Sequence, residues 1–152
     1  MEGATIKAKE FLKQVQKIDR LIDNKIAERN QWISKATSTV ASSSGERVQT
    51  SGNPYKMENA IINYLGLTEE IDKIIAELAA KKADVIKMIE LLPPIEYDVL
   101  HKIYIQYKTL QDVADDYDKT YSWATTIQGR AMQHLQKYLN EREGRKSNEG
   151  NQ

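Results

Sequence analysis

The sequence predicts an all-α protein in which a long antiparallel helical hairpin, paired as a coiled coil, precedes a helix-turn-helix domain. Residues 6–42 and 54–92 repeat apolar side chains at spacings of three and four, the pattern of amphipathic helices. Between them, residues 42–53 are rich in Ser, Gly and Thr, which predicts a loop. After Pro93, two helical segments are separated by a short turn, as a helix-turn-helix requires.

The first predicted helix carries an apolar stripe along most of its length. The stripe consists of Phe11, Val15, Ile18, Ile22, Trp32 and Ala36, and it is widened by Leu12, Leu21, Ile26 and Ile33. Arg29 falls at the same spacing, and Lys25 and Arg29 interrupt the seam. With the loop centred near Val48, an antiparallel pairing puts Ile18 near Leu78 and Ile22 near Ile74, with a slip of one turn allowed in either direction. The hairpin forms the first predicted domain, residues 1–92.

The second predicted helix has clear start and stop signals. Asn53 is a capping residue and Pro54 occupies the first helical position. Pro93 and Pro94 end the helix after Leu92, because the residue before a proline is pushed out of the helical region. Its apolar side is formed by Ile61, Leu65, Ile71, Ile74, Ile75, Leu78, Val85, Ile89 and Leu92.

The second predicted domain, residues 93–140, contains the helix-turn-helix. Thr109 and Asp112 have the spacing of a capping box, so they start a short helix that ends near Tyr117. Thr120 then caps a second, longer helix over residues 121–139. The side chains expected to face each other between these helices are Val113, Ala114, Tyr117, Ala124 and Ile127. The remaining residues, 141–152, are charged and predict a disordered tail.

The longer helix has the charge pattern of a DNA-recognition helix. Ala124, Ile127, Ala131, Leu135 and Tyr138 form its apolar stripe, and Ser122, Thr125, Thr126, Gly129 and Gln133 lie opposite. Residues 119–140 contain no Asp or Glu, as expected of a helix that approaches phosphates. The predicted DNA-binding residues are Lys119, Thr120, Tyr121, Ser122, Trp123, Thr125, Thr126, Arg130 and Lys137.

This part of the chain resembles region 4 of bacterial sigma factors. The resemblance is carried by Thr109-Leu110-Gln111-Asp112-Val113-Ala114 and, after the turn, by Ile127-Gln128-Gly129-Arg130-Ala131-Met132-Gln133-His134-Leu135. In that family a T-L-x-E-[IV]-A helix leads to a recognition helix ending I-x-x-[RK]-A-L-x-x-L. Asp118 stands where the family usually has Gly, and Tyr121 and Ser122 stand where it is strongly basic. The resemblance implies a sigma-region-4-like helix-turn-helix domain.

A second resemblance covers nearly the whole chain. It is carried by residues 45–52, Gly-Glu-Arg-Val-Gln-Thr-Ser-Gly, and by Lys56-Met57-Glu58. These are similar to the R-V-Q-x-S loop and K-M-E helix start of a family encoded by phages of Gram-positive bacteria, whose C-terminus is sigma-region-4-like. This resemblance implies a regulator of phage or mobile-element transcription. Arg47 and Gln49 either contact a partner or belong to a loop that folds back on its own helices.

Several classes of chemistry find no support in the sequence. The chain of 152 residues has no cysteine, which excludes disulfides, thiol catalysis and thiolate metal sites. His101 and His134 fall in different helices, and the neighbouring carboxylates Asp115 and Asp116 point in different directions, so neither a catalytic nor a metal site is expected. No Gly-rich phosphate loop is present. We expect a protein that is not an enzyme and binds no cofactor.

Three functions remain open from the sequence. The first is a sequence-specific regulator that binds double-stranded DNA as a homodimer in the cytoplasm, with no membrane partner. The second is an adaptor that docks on RNA polymerase without reading DNA, which the formal net charge of zero favours. The third is a small-terminase-like protein of phage DNA packaging. The acid-free helix favours the first, but operator sequence, sign of regulation and oligomeric state do not follow from sequence.

Overall fold

The computed structural model of the protein describes residues 6–45 and 54–150. Over these residues the chain is all-helical, as predicted. Its elements are α1 (Ala8–Gly45), α2 (Pro54–Ile89), α3 (Pro94–Leu100) with a π-helical continuation (His101–Ile105), α4 (Leu110–Asp116) and α5 (Tyr121–Glu149). Residues 46–53, which hold most of the predicted loop and the Asn53 cap, lie outside the described residues, so the roles of Arg47 and Gln49 stay open.

The chain divides into two compact units at positions that the sequence did not predict. The head unit contains residues 6–18 and 81–150, and the hairpin unit is Asp19–Ala80. The predicted domain boundary between residues 92 and 93 stays a prediction, and the compact units divide the chain elsewhere. The physical reason is that α5 carries more apolar surface than α3 and α4 can cover. The first turns of α1 and the last turns of α2 pack on the remainder and so belong to the head unit.

The larger core of the head unit joins the ends of α1 and α2 to the second half of α5. Its buried members are Ala8, Phe11, Leu12, Val15, Val85, Met88, Ile89, Leu92, Leu100, Ala131, Leu135 and Leu139. Leu12, Ile89 and Leu135 are fully buried. Because burying one such side chain contributes about 1.5–3 kcal/mol, this cluster fixes the position of α5.

The smaller core of the head unit lies among α3, α4 and α5. Val99, Val113, Ala114, Ala124 and Ile127 are buried there, with Tyr117 and Trp123 packed against them. The five side chains predicted to face each other between α4 and α5 are all in this cluster. Ala114 and Ala124 have no exposed surface, so they allow the two helices to approach closely. This part of the packing was predicted correctly.

In the hairpin unit, α1 and α2 run antiparallel, as predicted. Trp32 stacks on Tyr64 with ring centroids 5.7 Å apart, and these two residues are equally distant from Val48 in sequence, as the predicted register requires. Arg29 Nε lies 2.6 Å from a carboxylate oxygen of Asp72, an ion pair without a well-directed hydrogen bond. The direct pairing of the Ile side chains further along stays a prediction.

The hairpin unit leaves many apolar side chains in water. Those exposed on its two helices are Leu21, Ile26, Ile33, Ile62, Leu65 and Ile74, and Tyr55 is exposed as well. Leu21, Ile26 and Ile33, which widen the predicted apolar stripe, are among the exposed residues, because a pair of helices buries one seam of each helix and no more. Among the residues described in this unit, only Thr68 and Ile71 are buried.

Two predicted helix ends differ from the structure. The helix α2 ends at Ile89 rather than Leu92, because Pro93 cannot extend the hydrogen-bond ladder and the last residues tighten into a turn, in which Leu92 N–H donates to the Ile89 carbonyl at 3.1 Å. The prediction of a disordered tail from residue 141 is wrong for its described part, because α5 continues to Glu149. Arg142 secures this continuation, since its guanidinium lies 3.0 Å from Asp84 and over the Phe11 ring.

No helix in the described part of the chain combines the length and the apolar character needed to cross a membrane.

Candidate nucleic-acid interface

The connection between α4 and α5 is a tight turn of residues 117–120. Asp118 has φ of 54°, in the left-handed region that disfavours most side chains but that Asp tolerates. The turn closes through Lys119 N–H, which donates to the Ala114 carbonyl at 2.8 Å. Glycine fits a left-handed position best. The sigma-factor family that this segment resembles usually has Gly at the position of Asp118.

Both helices of this pair begin at the predicted caps. Thr109 Oγ1 accepts a hydrogen bond from Asp112 N–H at 3.1 Å, and Asp112 Oδ2 accepts one from Thr109 N–H at 2.9 Å. The hydrogen bond that the Asp112 carboxylate accepts from the Thr109 N–H holds the pKa of Asp112 below its usual range. Thr120 Oγ1 accepts from Trp123 N–H at 3.0 Å and caps α5. The two caps fix where α4 and α5 start, and therefore how they meet.

Most of the predicted DNA-binding residues are exposed on the turn and on the first five turns of α5. The exposed members are Lys119, Thr120, Tyr121, Ser122, Thr125, Thr126, Arg130 and Lys137. Trp123 differs, because its ring packs against Tyr117 with centroids 5.3 Å apart. The hydroxyls of Thr125 and Thr126 donate to backbone carbonyls one turn earlier, so their oxygens keep lone pairs that accept hydrogen bonds.

The exposed face of α5 is open around Gly129. A methyl group built on Gly129 would have no heavy atom within 4 Å, so packing does not require a glycine there. In the middle of a helix, glycine is less favourable than alanine by about 0.8–1 kcal/mol. A glycine that packing does not explain is consistent with a surface that another molecule approaches closely.

Two lysines close to the turn between α4 and α5 are paired with an acidic residue of α4. Asp116 Oδ2 lies 3.0 Å from Lys108 Nζ and 3.5 Å from Lys102 Nζ. The hydrogen bond from Lys108 and the charges of both lysines hold the pKa of Asp116 below its usual range. These two lysines are therefore paired within the protein. The cations that α5 itself presents are Arg130 and Lys137 in its first five turns.

A surface groove of about 760 Å³ runs beside the exposed face of α5. Its α5 wall includes Thr125, Gly129 and Gln136, and its other wall includes Lys7 and Lys9 at the start of α1. The Gln136 side chain ties the walls together. Its Oε1 accepts from Ala8 N–H at 2.8 Å, and its Nε2 donates to the Ile6 carbonyl at 3.2 Å.

Sequence reasoning missed this neighbour of α5. A usable signal was present, because Leu135 and Leu139 continue the apolar stripe of α5 beyond the reach of a helix as short as α4. Ala8, Phe11 and Leu12 supply a matching apolar surface at the start of α1. Nothing in the sequence states that these two surfaces meet.

A polar pair also joins α3 to α5. His134 Nδ1 lies 2.5 Å from Glu96 Oε1, and the Glu96 side chain is 8% exposed. His134 thus has a structural partner and does not face the groove. The pair fixes the rotation of α5 about its axis, which decides which residues α5 presents to solvent.

Comparison with family models, with curated proteins and with solved structures finds no match to the chain.

Proposed function

We propose that the protein is a sequence-specific, duplex-DNA-binding transcriptional regulator of phage or mobile-element genes. In this proposal α4 and α5 form a helix-turn-helix, and the first turns of α5 enter the major groove. One observation carries the proposal: the short helix α4 and the longer helix α5 both begin at side-chain caps and are joined by a tight turn that is left-handed at Asp118. The first turns of α5 present polar side chains without Asp or Glu to solvent. The resemblance to sigma region 4 and to the phage family points the same way.

The residues take separate roles in this proposal. Ser122, Thr125 and Thr126 contact base edges, with Tyr121 beside them, because side chains at the start of a recognition helix reach the bases. The cations Lys119, Arg130 and Lys137 contact phosphates. Thr120 caps α5 and positions it rather than reading bases. Trp123 supports the turn through its packing on Tyr117.

The proposal includes a homodimer formed by the hairpin unit. Ile33 and Leu65 each follow a residue of the stacked Trp32 and Tyr64 pair, so in an antiparallel pair they lie on the same side of the hairpin. A second copy of this chain offers the same apolar surface, as a two-fold interface requires. One head unit presents few cations, so it neutralises few phosphates. A dimer with two head units doubles the number of phosphate contacts and therefore binds DNA more firmly. Sedimentation of Ile33→Ser/Leu65→Ser protein should then show monomers where the wild type shows dimers.

Selection of bound duplexes from a random pool tests the DNA-reading proposal. The wild type should enrich a defined site, and Ser122→Ala/Thr125→Ala should relax the preference, by about 1–3 kcal/mol for each well-formed hydrogen bond to a base edge that is removed. The matched control is Ser34→Ala/Thr37→Ala. Thr37 donates to a backbone carbonyl one turn earlier as Thr125 does, but it lies in the hairpin unit. An unchanged site in the folded Ser122 and Thr125 variant contradicts the assignment.

The same experiment separates the alternatives. Duplex binding without an enriched site would favour a packaging protein, which holds DNA largely through phosphates. No duplex binding, together with retention of purified RNA polymerase, would favour the adaptor. The acidic side chains on α4 give the adaptor some support, because they oppose the approach of phosphates near the turn.

A further inference from the structure

The exposed face of α5 is flanked differently on its two sides. At 100° per residue, Arg130 and Lys137 lie about 60–80° to one side of Ser122, and Thr125 and Gln136 lie about 40–60° to the other. The first side therefore carries two cations. On the second side residues 121–140 of α5 carry no charge, and the groove and the start of α1 lie there instead. A cation on that side must come from another element.

Two lysines at the start of α1 occupy this position. Lys7 and Lys9 are exposed and line the groove opposite Thr125 and Gly129. Neither makes an ion pair with a residue in the described part of the chain, unlike Lys102 and Lys108. The acidic residue of this turn, Glu10, does not line the groove.

The start of α1 is held rigidly enough to present these lysines. Ala8 is buried, and its N–H is bonded to the Gln136 side chain of α5. Phe11 and Leu12 follow directly in the larger core. Lys7 and Lys9 flank Ala8, so their backbone is fixed relative to α5 while their side chains reach into solvent.

The shape of duplex DNA gives this arrangement a use. The major groove is about 12 Å wide and is bounded by two phosphate backbones, and a helix with its side chains is about 10–12 Å across. A helix seated in the groove therefore meets phosphates on both sides. On its own, α5 can neutralise them on the side of Arg130 and Lys137.

We propose that Lys7 and Lys9 bind the phosphate backbone on the side of the major groove opposite Arg130 and Lys137, so that the DNA-binding surface combines both ends of the chain. The inference rests on the proposed function, since it requires α5 to enter the groove. It identifies a phosphate-binding segment outside the helix-turn-helix. It also gives the head unit, in which Lys102 and Lys108 are paired with Asp116, two further cations for phosphate contacts.

The first test is the salt dependence of duplex binding by the full chain. Lys7→Gln/Lys9→Gln should reduce the slope of log affinity against log salt by about 2 while the selected site stays the same, because phosphate contacts carry no sequence information. The control Lys56→Gln/Lys73→Gln removes the same charge from exposed positions of the hairpin unit. Its slope should stay close to that of the wild type.

The second test locates the two sides directly. Since the chain has no cysteine, Glu10→Cys or Glu141→Cys can carry a single DNA-cleaving iron chelate without removing a proposed contact. The chelate at position 10 should cut the backbone on one side of the major groove, and the chelate at position 141, on the side of Arg130, should cut the other.

The outcomes distinguish failure of the inference from failure of the function. If Lys7→Gln/Lys9→Gln changes the slope no more than the control does, or if both chelates cut the same side, the inference is overturned while the proposed function stands. If the wild type binds no duplex at all, both are overturned.

Discussion

The head unit and the hairpin unit use the same kind of amphipathic helix with opposite results. In the head unit, α1, α2, α3 and α5 converge and bury Leu12, Ile89, Leu100, Leu135 and Leu139 to 2% exposure or less. In the hairpin unit, two helices of the same chain leave Ile62 58% exposed and Leu65 52% exposed. Apolar periodicity therefore predicts a helix and a contact face, but the number of neighbouring helices decides how much of that face is buried.

The largest expected effect comes from dividing the chain at two different places. A fragment beginning at Pro93 lacks the parts of α1 and α2 that cover Leu135 and Leu139, so it should show no cooperative thermal unfolding. A head-only chain, in which a flexible Gly/Ser linker joins residue 18 to residue 81, keeps the whole larger core. It should unfold cooperatively.

Thermal melts followed by circular dichroism, together with the chemical-shift dispersion of NMR spectra, show whether the Pro93 fragment and the head-only chain are folded. The opposite result, with a folded fragment from Pro93 and an unfolded head-only chain, would support the domain boundary that the sequence predicts between residues 92 and 93. Similar cooperative melts for both would mean that α5 needs neither α1 nor α2.

A smaller effect comes from the same substitution in each unit. Leu135→Ala in the head unit should lower the free energy of unfolding by about 2–5 kcal/mol, because it leaves a cavity in a closed core. Leu65→Ala in the hairpin unit should change it by about 0.5 kcal/mol or less in the monomer, because Leu65 is already half exposed. Denaturant titration at low protein concentration measures both. Equal losses would contradict the comparison.

The polar pair between α3 and α5 gives an intermediate effect within the head unit. His134→Ala should lower the free energy of unfolding by about 1–3 kcal/mol, since it leaves the buried Glu96 carboxylate without its partner. Glu96→Gln/His134→Ala should recover part of the loss, because the buried group is then uncharged. The exposed Gln133→Ala, next along α5, is the control. If His134→Ala were as stable as Gln133→Ala, water rather than His134 would form the hydrogen bonds of the Glu96 carboxylate.

The smallest effect is a gain in stability together with weaker binding. Gly129→Ala should raise the free energy of unfolding by about 0.8–1 kcal/mol, because alanine favours a helix and its methyl group meets open space. The same change should weaken duplex binding if DNA approaches α5 closely at that position. Gly144→Ala, also in α5 and also unobstructed, should stabilise without affecting binding. Equal affinities for the two variants would exclude a close approach at Gly129.

Local chemistry made the turn of the candidate site predictable. Thr109, Asp112 and Thr120 cap their helices through backbone groups within three residues, so spacing alone was enough to recognise them. Ala114 and Ala124 were identified as interface residues because a turn of four residues leaves two helices few ways to meet. Trp123 was assigned to DNA because its position on the helix is near that face, whereas its large ring is more stable packed on Tyr117.

By itself, the sequence determined that the hairpin consists of two long helices, where α4 and α5 begin and which way the hairpin helices run, because these depend on neighbouring residues and on periodicity. The tertiary structure decided the rest. It added the start of α1 to α5, moved the unit boundary into the middle of the long helices, extended α5 to Glu149 and paired Lys108 with Asp116. Those features depend on contacts between residues far apart in sequence, and many different pairings of apolar stripes satisfy one periodic pattern.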